Sequence, residues 1–287
     1  MRSAITIALV PEMRGGPFVF SDGLAAGCAK AAEHGFDAVE IFPPSGDALD
    51  RGQVKSLLAQ YNLRIAAVGS GAGWVKHRLH LTDPDAAVRR RAREFIAAIV
   101  DFAGSLGAPA IIGSMQGRWG DGVTRAQALA WLAEALEELG PRAAVHGVAL
   151  LYEPLNRYET NLLNRVDDAL SFFKSLRAQN VKLLCDLFHM NIEEAAIGDA
   201  LRLAGLRVGH IHFANSNRHA IGSGHTEIAP VVHALRDTGY EGYISGEVLP
   251  LPDGDTAAKQ TIASFKRWFR PVVAQKACEG CTIELKA

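Results

Sequence analysis

The chain contains few cysteines, and their positions exclude a disulfide framework as the basis of the fold. Four occur among 287 residues, at Cys28, Cys185, Cys278 and Cys281. Cys28 and Cys185 stand within apolar helix and strand patterns, which predicts buried free thiols. Cys278 and Cys281 form a single CxxC in a polar tail. Because one CxxC supplies only half of a tetrahedral zinc shell, we interpret it as part of an exposed tail.

The sequence also lacks an excess of charge of one sign. Thirty Lys and Arg residues face 31 Asp and Glu residues, which gives a formal net charge of −1. Such a balance provides no basic field for nucleic acid or for an anionic membrane surface. We therefore expect no nucleic-acid partner and a protein that acts on a small molecule.

Long apolar runs are missing too. The first apolar stretch stops at Pro11 and Glu12, too early for a signal-peptide core, and no later stretch reaches the roughly 18 apolar residues of a membrane span. We expect a soluble, cytoplasmic protein without a membrane partner. No Gly-rich phosphate-binding turn follows the first apolar stretch, which counts against a nucleotide-binding fold.

Short apolar runs alternate with helical patterns along the whole chain. The predicted strands are 5–10, 37–42, 64–68, 109–114, 148–154, 181–186, 208–213 and 243–248. The predicted helices are 24–33, 49–61, 83–107, 125–139, 166–176, 192–203, 228–235 and 259–269. Eight such units favour an all-parallel sheet covered by helices. We predict the α/β class and a single (β/α)8 TIM barrel over residues 1–271, followed by a C-terminal tail over residues 272–287.

Four of the predicted strands end in, or just after, a residue that can bind a metal. These residues are Glu153, Asp186, His212 and Glu247, and they are 33, 26 and 35 residues apart. One strand and one helix of a (β/α)8 barrel occupy roughly 30 residues, so each ligand falls in its own unit. If all four point inward at the carboxyl ends of their strands, they meet at the barrel mouth, where the sites of this fold lie.

Each of the four residues has an ordinary structural explanation when taken alone. A carboxylate after a strand often caps the next helix, and a histidine on a strand is often a hydrogen-bonded core residue. Three carboxylates gathered in one barrel, however, would repel each other and lose hydration unless a cation neutralised them. Three carboxylates and one imidazole suit a divalent metal, most of all Mn²⁺, with Mg²⁺ or Co²⁺ as alternatives.

The segments EPLNRYET, CDLFHM, HFANSNR followed by GSGH, and SGEV carry a family resemblance. They resemble the xylose-isomerase-like TIM-barrel superfamily, and most closely the ketose 3-epimerases of the D-tagatose 3-epimerase and D-psicose (D-allulose) 3-epimerase family. The match is sharp from Glu153 to Glu247, and the N-terminal half matches in architecture more than in motif. Two residues depart from the family pattern, Asn215 and Glu227, where Asp is expected; they leave the metal set intact and bear on the choice of sugar.

The resemblance implies a role for each matching residue. Glu153, Asp186, His212 and Glu247 are then the metal ligands, and Glu153 and Glu247 are also the acid and base. The resemblance gives His189 and Arg218 contacts with the substrate's oxygens, and Glu159 a supporting position beside the sugar. Each of the two has a less favoured alternative: Arg218 as a solvated cation at the start of a Gly-rich loop, and His189 as a helix-start residue without a catalytic role.

The function implied is a metal-dependent epimerase that inverts C3 of a free ketose or a keto-sugar derivative through an enediolate. The chemistry fits the residues, because inversion beside a ketone needs one group to remove a proton and another to return one from the opposite face. An aldose–ketose isomerase or a keto-sugar dehydratase shares the first step and stays an alternative. A metal-dependent nuclease related to endonuclease IV would need a basic groove. A sugar-binding barrel without activity is disfavoured by the intact glutamate pair.

Weaker candidates remain outside the motif segments. Glu40 on the second strand either reaches the mouth or makes a hydrogen bond inside the barrel. Phe42 and Trp119 either shape an apolar wall against the sugar or serve packing. Barrels of this kind often assemble through outer helices, so a homodimer or homotetramer is a further prediction.

Overall fold

The computed structural model describes residues 1–270, which form a closed barrel of eight parallel strands. The strands are β1 Arg2–Ala8, β2 Ala38–Phe42, β3 Arg64–Gly69, β4 Ala110–Ile112, β5 Leu150–Tyr152, β6 Val181–Asp186, β7 Val208–His212 and β8 Tyr243–Gly246. They pair in chain order, and β1 closes the ring against β8, where Ile5 lies opposite Gly246. The predicted (β/α)8 barrel is confirmed. The predicted tail and the CxxC of Cys278 and Cys281 lie outside the described residues.

Ten α-helices surround the strands in the part of the chain that the structure describes. They are α1 Leu24–His34, α2 Arg51–Gln60, α3 Ala72–His77, α4 Ala86–Ser105, α5 Arg125–Val145, α6 Val166–Phe173, α7 Leu187–Glu193, α8 Ile197–Ala204, α9 Ile228–Asp237 and α10 Gly254–Phe269. Several begin with a side-chain cap; Asp50 accepts from the backbone N–H of Gln53, and Thr124 and Gln127 form a capping box. Such caps satisfy N–H groups that the first helical turn leaves unpaired.

Two layers of side chains fill the barrel interior below the site. Ala67, Ile111, Leu151 and Leu184 pack together as one buried cluster. Ala4, Ala38 and Ala66 form a second, and small side chains suit this narrow space. A much larger apolar cluster lies between the strands and the helices. Fully burying one of its Leu or Ile side chains contributes about 1.5 to 3 kcal/mol, so this shell holds the ring of strands in place.

Several helix predictions differ from the structure, and α10 begins at Gly254 rather than at residue 259. The predicted helix 192–203 is wrong as a single element, because the chain forms α7 and α8, which Glu194–Ala196 separate. The carboxylate of Glu194 accepts from the backbone N–H of Val166, which ties this break to the start of α6. Helix α5 continues through Pro141 to Val145 instead of ending near residue 139. The segment after β3, read as a loop, contains the short helix α3.

The described cysteines and helices agree with two further expectations. Cys28 and Cys185 are buried free thiols, and burial raises the pKa of the Cys28 thiol to about 11. Among residues 1–270, none of the helices combines the length and the apolar character that a membrane crossing requires.

Candidate metal centre and active site

Four side chains from four consecutive strands meet at the carboxyl end of the barrel. Glu153 follows β5, Asp186 ends β6, His212 ends β7 and Glu247 follows β8. One ligand atom from each lies within 4.8 Å of all the others. All four residues are at least nine-tenths buried. The structure thus brings together the set that the strand spacing predicts.

One carboxylate oxygen from each of the other three residues lies near His212 Nδ1, at a distance too long for a strong hydrogen bond. His212 Nδ1 lies 3.4 Å from Glu153 Oε1, 3.4 Å from Glu247 Oε2 and 3.6 Å from Asp186 Oδ2. Glu153 Oε1, Asp186 Oδ2 and His212 Nδ1 have no hydrogen-bond partner among the described residues. Buried polar atoms are nearly always satisfied in native proteins. Three unsatisfied atoms aimed at one point therefore fit a divalent cation as their shared partner.

Asp186 uses its two carboxylate oxygens for different purposes. Oδ1 accepts from the backbone N–H of Phe188 at 2.8 Å and so caps helix α7. Oδ2 stays free and faces the other ligands. The capping explanation and the ligand explanation of this residue thus hold at the same time, because each concerns one oxygen.

The orientation of His212 is set by Glu40, which is fully buried on β2. Glu40 lies 3.0 Å from His212 Nε2 and 2.7 Å from Nε2 of His210. An ionised carboxylate only accepts hydrogen bonds, so each imidazole donates through Nε2–H. This places the lone pair of a neutral His212 on Nδ1, the nitrogen that faces the ligand cluster. Glu40 therefore makes the barrel-interior hydrogen bond, and it supports a ligand rather than reaching the cavity.

Burial and neighbouring charges shift the pKa values of the carboxyl groups of the site in different directions. Burial raises the pKa of Glu153, against the effect of His212. Burial also acts on Asp186, but His189, His212 and Arg218 outweigh it and lower its pKa to about 2. The pKa of Glu247 is lowered too, because His212 and Arg218 outweigh burial. In the opposite sense, burial would lower the pKa of His212, but Glu247 and Glu40 hold it well above its usual value. The site favours added positive charge.

His189 stands on helix α7 beside the four residues of the candidate metal site and is almost fully buried. Its Nδ1 receives the backbone N–H of Asn156 at 3.2 Å, and the side-chain amide of Asn156 lies 2.7 Å away. Because a backbone N–H can only donate, Nδ1 accepts and the proton of the neutral ring is on Nε2. Nε2 has no partner among the described residues, and the ring lines the cavity. His189 is therefore arranged to donate a hydrogen bond to a ligand.

Arg218 extends over the same cavity from the loop after β7. Its Nη2 donates to Glu247 Oε2, and Nη1 lies 3.5 Å from Glu159 Oε1. The guanidinium stacks over the ring of Phe188 at 4.8 Å. These contacts and its left-handed backbone, with φ at 60°, show that Arg218 is a fixed, mostly buried part of the site rather than a solvated cation.

The cavity above the ligands has a volume of about 300 Å³. Glu153, Glu247, His189, Arg218 and Glu159 all line it. Phe42 lines it as well and packs edge-on against the ring of Phe18 at 4.6 Å. Trp119 does not line it; its backbone and indole N–H groups both donate to Asn161, which joins the loops after β4 and β5.

The two departures from the family motif lie in the loop after β7 and at the start of α9. Asn215 is buried, and its side-chain oxygen accepts from the backbone N–H groups of Ser216 and Thr226. It shapes this loop and does not line the cavity. Glu227 precedes α9 and makes no side-chain cap there. Among the described residues, neither side chain makes a hydrogen bond or an ion pair with the four residues of the candidate metal site.

Fold and site together define a TIM-barrel protein with a buried carboxylate and histidine site at the mouth of the barrel. The family model described as xylose isomerase-like TIM barrel matches residues 28–268. The chain therefore belongs to the xylose isomerase-like TIM barrel family.

Characterised relatives of this chain carry the names of sugar epimerases. It is 32% identical to the D-psicose 3-epimerase of Agrobacterium fabrum over 221 residues, 75% of each chain. It is 32% identical to the L-ribulose 3-epimerase of a Methylomonas species over 244 residues, 82% of this chain and 84% of the relative. The resemblance to ketose 3-epimerases that the motifs carry is confirmed. These relatives are isomerases.

Solved structures agree with this assignment. The D-allulose 3-epimerase of a Methylomonas species in complex with D-allulose aligns with a TM-score of 0.78 at 26% identity, covering 94% of this chain and 98% of that one. An AP endonuclease of family 2 from Brucella melitensis aligns with a TM-score of 0.75 at 20% identity, which shows a shared fold alone.

Proposed function

We propose that this chain is a metal-dependent epimerase that inverts C3 of a free ketose or a keto-sugar derivative. The observation that carries the proposal is the convergence of Glu153, Asp186, His212 and Glu247, with three unpartnered ligand atoms, beneath a cavity that His189 and Arg218 also line. The two relatives named as ketose 3-epimerases, each matching three quarters or more of this chain, support it further.

The four residues would hold one divalent cation, and we propose Mn²⁺, with Mg²⁺ or Co²⁺ as substitutes. Oxygen-rich donor sets of this kind suit all three ions. When bound, the cation polarises the substrate carbonyl and offsets the negative charge that develops on oxygen.

Proton transfer at C3 falls to Glu153 and Glu247. They follow β5 and β8, so their carboxylates reach the cavity from different parts of the ring of strands. One removes the C3 proton and the other returns a proton to the opposite face, and the roles exchange in the reverse reaction. A single carboxylate would return the proton to the face from which it came.

The remaining polar residues orient the sugar. His189 donates from Nε2 to a substrate oxygen, because Asn156 occupies its other nitrogen. Arg218 supplies a fixed positive charge that stabilises the enediolate, since Glu247 and the ring of Phe188 hold its guanidinium in place. Glu159 lies beside Arg218 at the edge of the cavity and accepts from substrate hydroxyl groups.

The test is incubation with Mn²⁺ in D₂O against a panel of ketoses and keto-sugar derivatives, followed by NMR. We expect deuterium at C3 together with inversion at that carbon. Exchange at C1 or C2 with an aldose product would identify an isomerase, and loss of water would identify a dehydratase. Either result would contradict the epimerase.

The role of the glutamate pair is tested by Glu247→Gln, which keeps the size of the side chain but cannot take up the proton. We expect turnover to fall by at least about 10³-fold while circular dichroism stays unchanged. The matched control is Glu94→Gln on the exposed face of α4, which should keep full activity. A homodimer or homotetramer and a cytoplasmic location stay predictions.

A further inference from the structure

A second cavity, of about 310 Å³, adjoins the one above the metal ligands. We call it the side pocket. Its lining residues are Trp74, His80, Ser114, Gly117, Arg118, Leu155, Tyr158 and Glu159. Ser114, Leu155 and Glu159 line both cavities, so the two spaces meet at these three residues. A ligand held above the metal site can therefore extend past Glu159 into the side pocket.

The walls of the side pocket are held in place by contacts behind them. The side chain of Thr82 donates to the carbonyl of Arg118 and accepts from its backbone N–H, at 2.8 and 2.9 Å. Thr160 donates to the carbonyl of Gly117 at 2.7 Å. These bonds join the loops after β3, β4 and β5, so the pocket is part of the fixed mouth of the barrel.

Three polar side chains of the lining make no hydrogen bond with other described residues; Arg118 and Tyr158 are exposed, and Ser114 is half-buried. Within residues 1–270, the hydroxyl groups of Ser114 and Tyr158 and the guanidinium of Arg118 make no hydrogen bond, and Arg118 makes no ion pair. Together they offer seven donor hydrogens in one place, because an arginine has five and each hydroxyl has one. The half-buried ring of Trp74 adds an apolar surface.

The charge of the pocket favours a neutral, hydroxyl-rich occupant over an anion. Arg118 shares the lining with the carboxylate of Glu159, which also lies 3.5 Å from Nη1 of Arg218. Burial lowers the pKa of His80 despite Asp83 at 3.1 Å, so this ring adds no positive charge near neutral pH. A phosphate, which carries about −1.5 to −2 charges, would lie beside the carboxylate of Glu159, against which stand Arg118 and the guanidinium of Arg78, 5.1 Å from the centre of the Trp74 ring. Apolar C–H faces and several hydroxyl groups are features of a sugar ring.

We propose that the side pocket binds a second sugar residue joined by a glycosidic bond to the reacting keto-sugar. The substrate class is then a glycosylated ketose, with the keto-sugar over the metal ligands and the attached sugar against Trp74, Arg118 and Tyr158. This inference rests on the proposed function, because it places the reacting ring above Glu153 and Glu247.

The test compares D-fructose with four glucosyl-fructoses in which glucose is attached at O1, O4, O5 or O6, a linkage that leaves C2 and C3 free to react. Each sugar is incubated with the Mn²⁺-loaded protein in D₂O, and exchange at C3 is followed by NMR. We expect kcat/KM for at least one of the four to exceed that for fructose by about tenfold, the effect of one net hydrogen bond to a charged group.

Variants of the pocket separate this preference from the chemistry. Arg118→Ala and Trp74→Ala should each reduce kcat/KM for the preferred glucosyl-fructose about tenfold, with less than about a twofold change for fructose. Arg91→Ala on the exposed face of α4 is the matched control and should change neither value. Saturation-transfer NMR with the inactive Glu247→Gln protein reports directly whether the glucosyl protons touch the protein.

The outcomes distinguish this inference from the proposed function. Exchange at C3 of a free ketose that equals or exceeds exchange of all four glucosyl-fructoses overturns the glycosylated substrate and leaves the epimerase intact. Equal losses for fructose and for the glucosyl-fructoses in Arg118→Ala also overturn it. If no sugar in either panel exchanges at C3, the epimerase fails and the glycosylated substrate fails with it.

Discussion

At the scale of single residues, three side chains of the site each use one polar atom to bond to the protein and direct the other toward the cavity or the ligand cluster. Asp186 caps a helix with one oxygen and offers the other to the ligand cluster. His212 donates to Glu40 through one nitrogen and presents the other, and His189 divides its nitrogens in the same way between Asn156 and the cavity. Because each inner atom is already bonded, the outer atom keeps one fixed direction.

The first prediction concerns Glu40. In Glu40→Gln the amide oxygen can accept from only one of the two histidines, and the amide N–H₂ then faces the Nε2–H of the other. His212 loses its orientation, so we expect divalent-metal affinity to fall about 10- to 100-fold. Titration calorimetry with Mn²⁺ measures this loss. Glu94→Gln serves as control, and wild-type affinity in Glu40→Gln would show that the hydrogen bond does not orient the ligand.

The sequence reveals the ligands more readily than the residues that hold them. Glu153, Asp186, His212 and Glu247 each sit at the end of an apolar run, a pattern visible in one strand at a time. Glu40 lies on β2, 172 positions from His212, and no local pattern links a residue on β2 to one on β7. Their contact arises only because the barrel closes and its interior is narrow. Asn156 is easier to find from the sequence, because it lies three residues after Glu153 in the same segment, EPLNRYET.

At the scale of elements, the strand ends are shaped to let the ligands reach the centre. Strands β4 and β5 each have three residues, and Glu153 follows directly on β5. Gly113, just after β4, lies where a Cβ atom would come within 2.5 Å of Glu153 Oε2. The absence of a side chain there leaves room for the carboxylate of the neighbouring strand.

The second prediction follows from this close approach. Gly113→Ala forces the Glu153 carboxylate away from the other ligands, because a 2.5 Å contact cannot persist. We expect metal affinity and turnover to fall at least about tenfold, the size of effect that a misplaced catalytic group produces. Both are measured on protein whose circular dichroism matches wild type.

A matched control for the same chemical change is Gly52→Ala. Gly52 lies in α2, where the nearest atom to an added Cβ is a flexible carboxylate oxygen of Asp50 at 3.2 Å. This variant should keep its activity. If Gly113→Ala also binds metal and turns over sugar like wild type, then the space beside Glu153 is not required.

Element boundaries were predictable where local chemistry sets them and were missed where long-range contacts do. Gly35 ends α1 in a left-handed conformation, and this end was predicted within one residue. In contrast, α5 passes through Pro141, and the side chain of Asn180 donates to the carbonyl of Gly140 there. Proline and glycine normally signal the end of a helix. That rule uses only neighbouring residues in the sequence, so it does not take account of Asn180, which lies in the turn before β6.

At the scale of the whole molecule, the barrel brings residues that recur at regular intervals along the chain to one place at its rim. Each unit of about 30 residues returns the chain to the same rim, so ligands one unit apart become neighbours. This explains why the fold and the ligand set were both predictable from spacing. The side pocket was not, because it is formed by three loops after β3, β4 and β5 whose lengths follow no repeat.

The last prediction concerns stability. Glu153, Asp186 and Glu247 are buried close together, so the protein without metal retains repulsion between carboxylates and unsatisfied ligand atoms. A cation that binds only the folded state stabilises it by about 2.7 kcal/mol at a concentration of 100 Kd, which for a protein of this size is a rise of roughly 4 to 5 °C in Tm. Differential scanning calorimetry of EDTA-treated protein with and without Mn²⁺ measures the shift. Asp186→Asn should lose most of it.

The size of this shift should also depend on pH. Metal binds the ionised carboxylates and the neutral imidazole. Burial raises the pKa of Glu153, and Glu247 and Glu40 raise the pKa of His212, so protons compete with the metal for both ligands as the pH falls. Asp186, with a pKa lowered to about 2, and Glu247, whose pKa is also lowered, remain ionised over the same range. We therefore expect a smaller rise in Tm at about pH 5 than at about pH 7.5, measured at one Mn²⁺ concentration. An equal rise at both values would contradict this competition between protons and metal at Glu153 and His212.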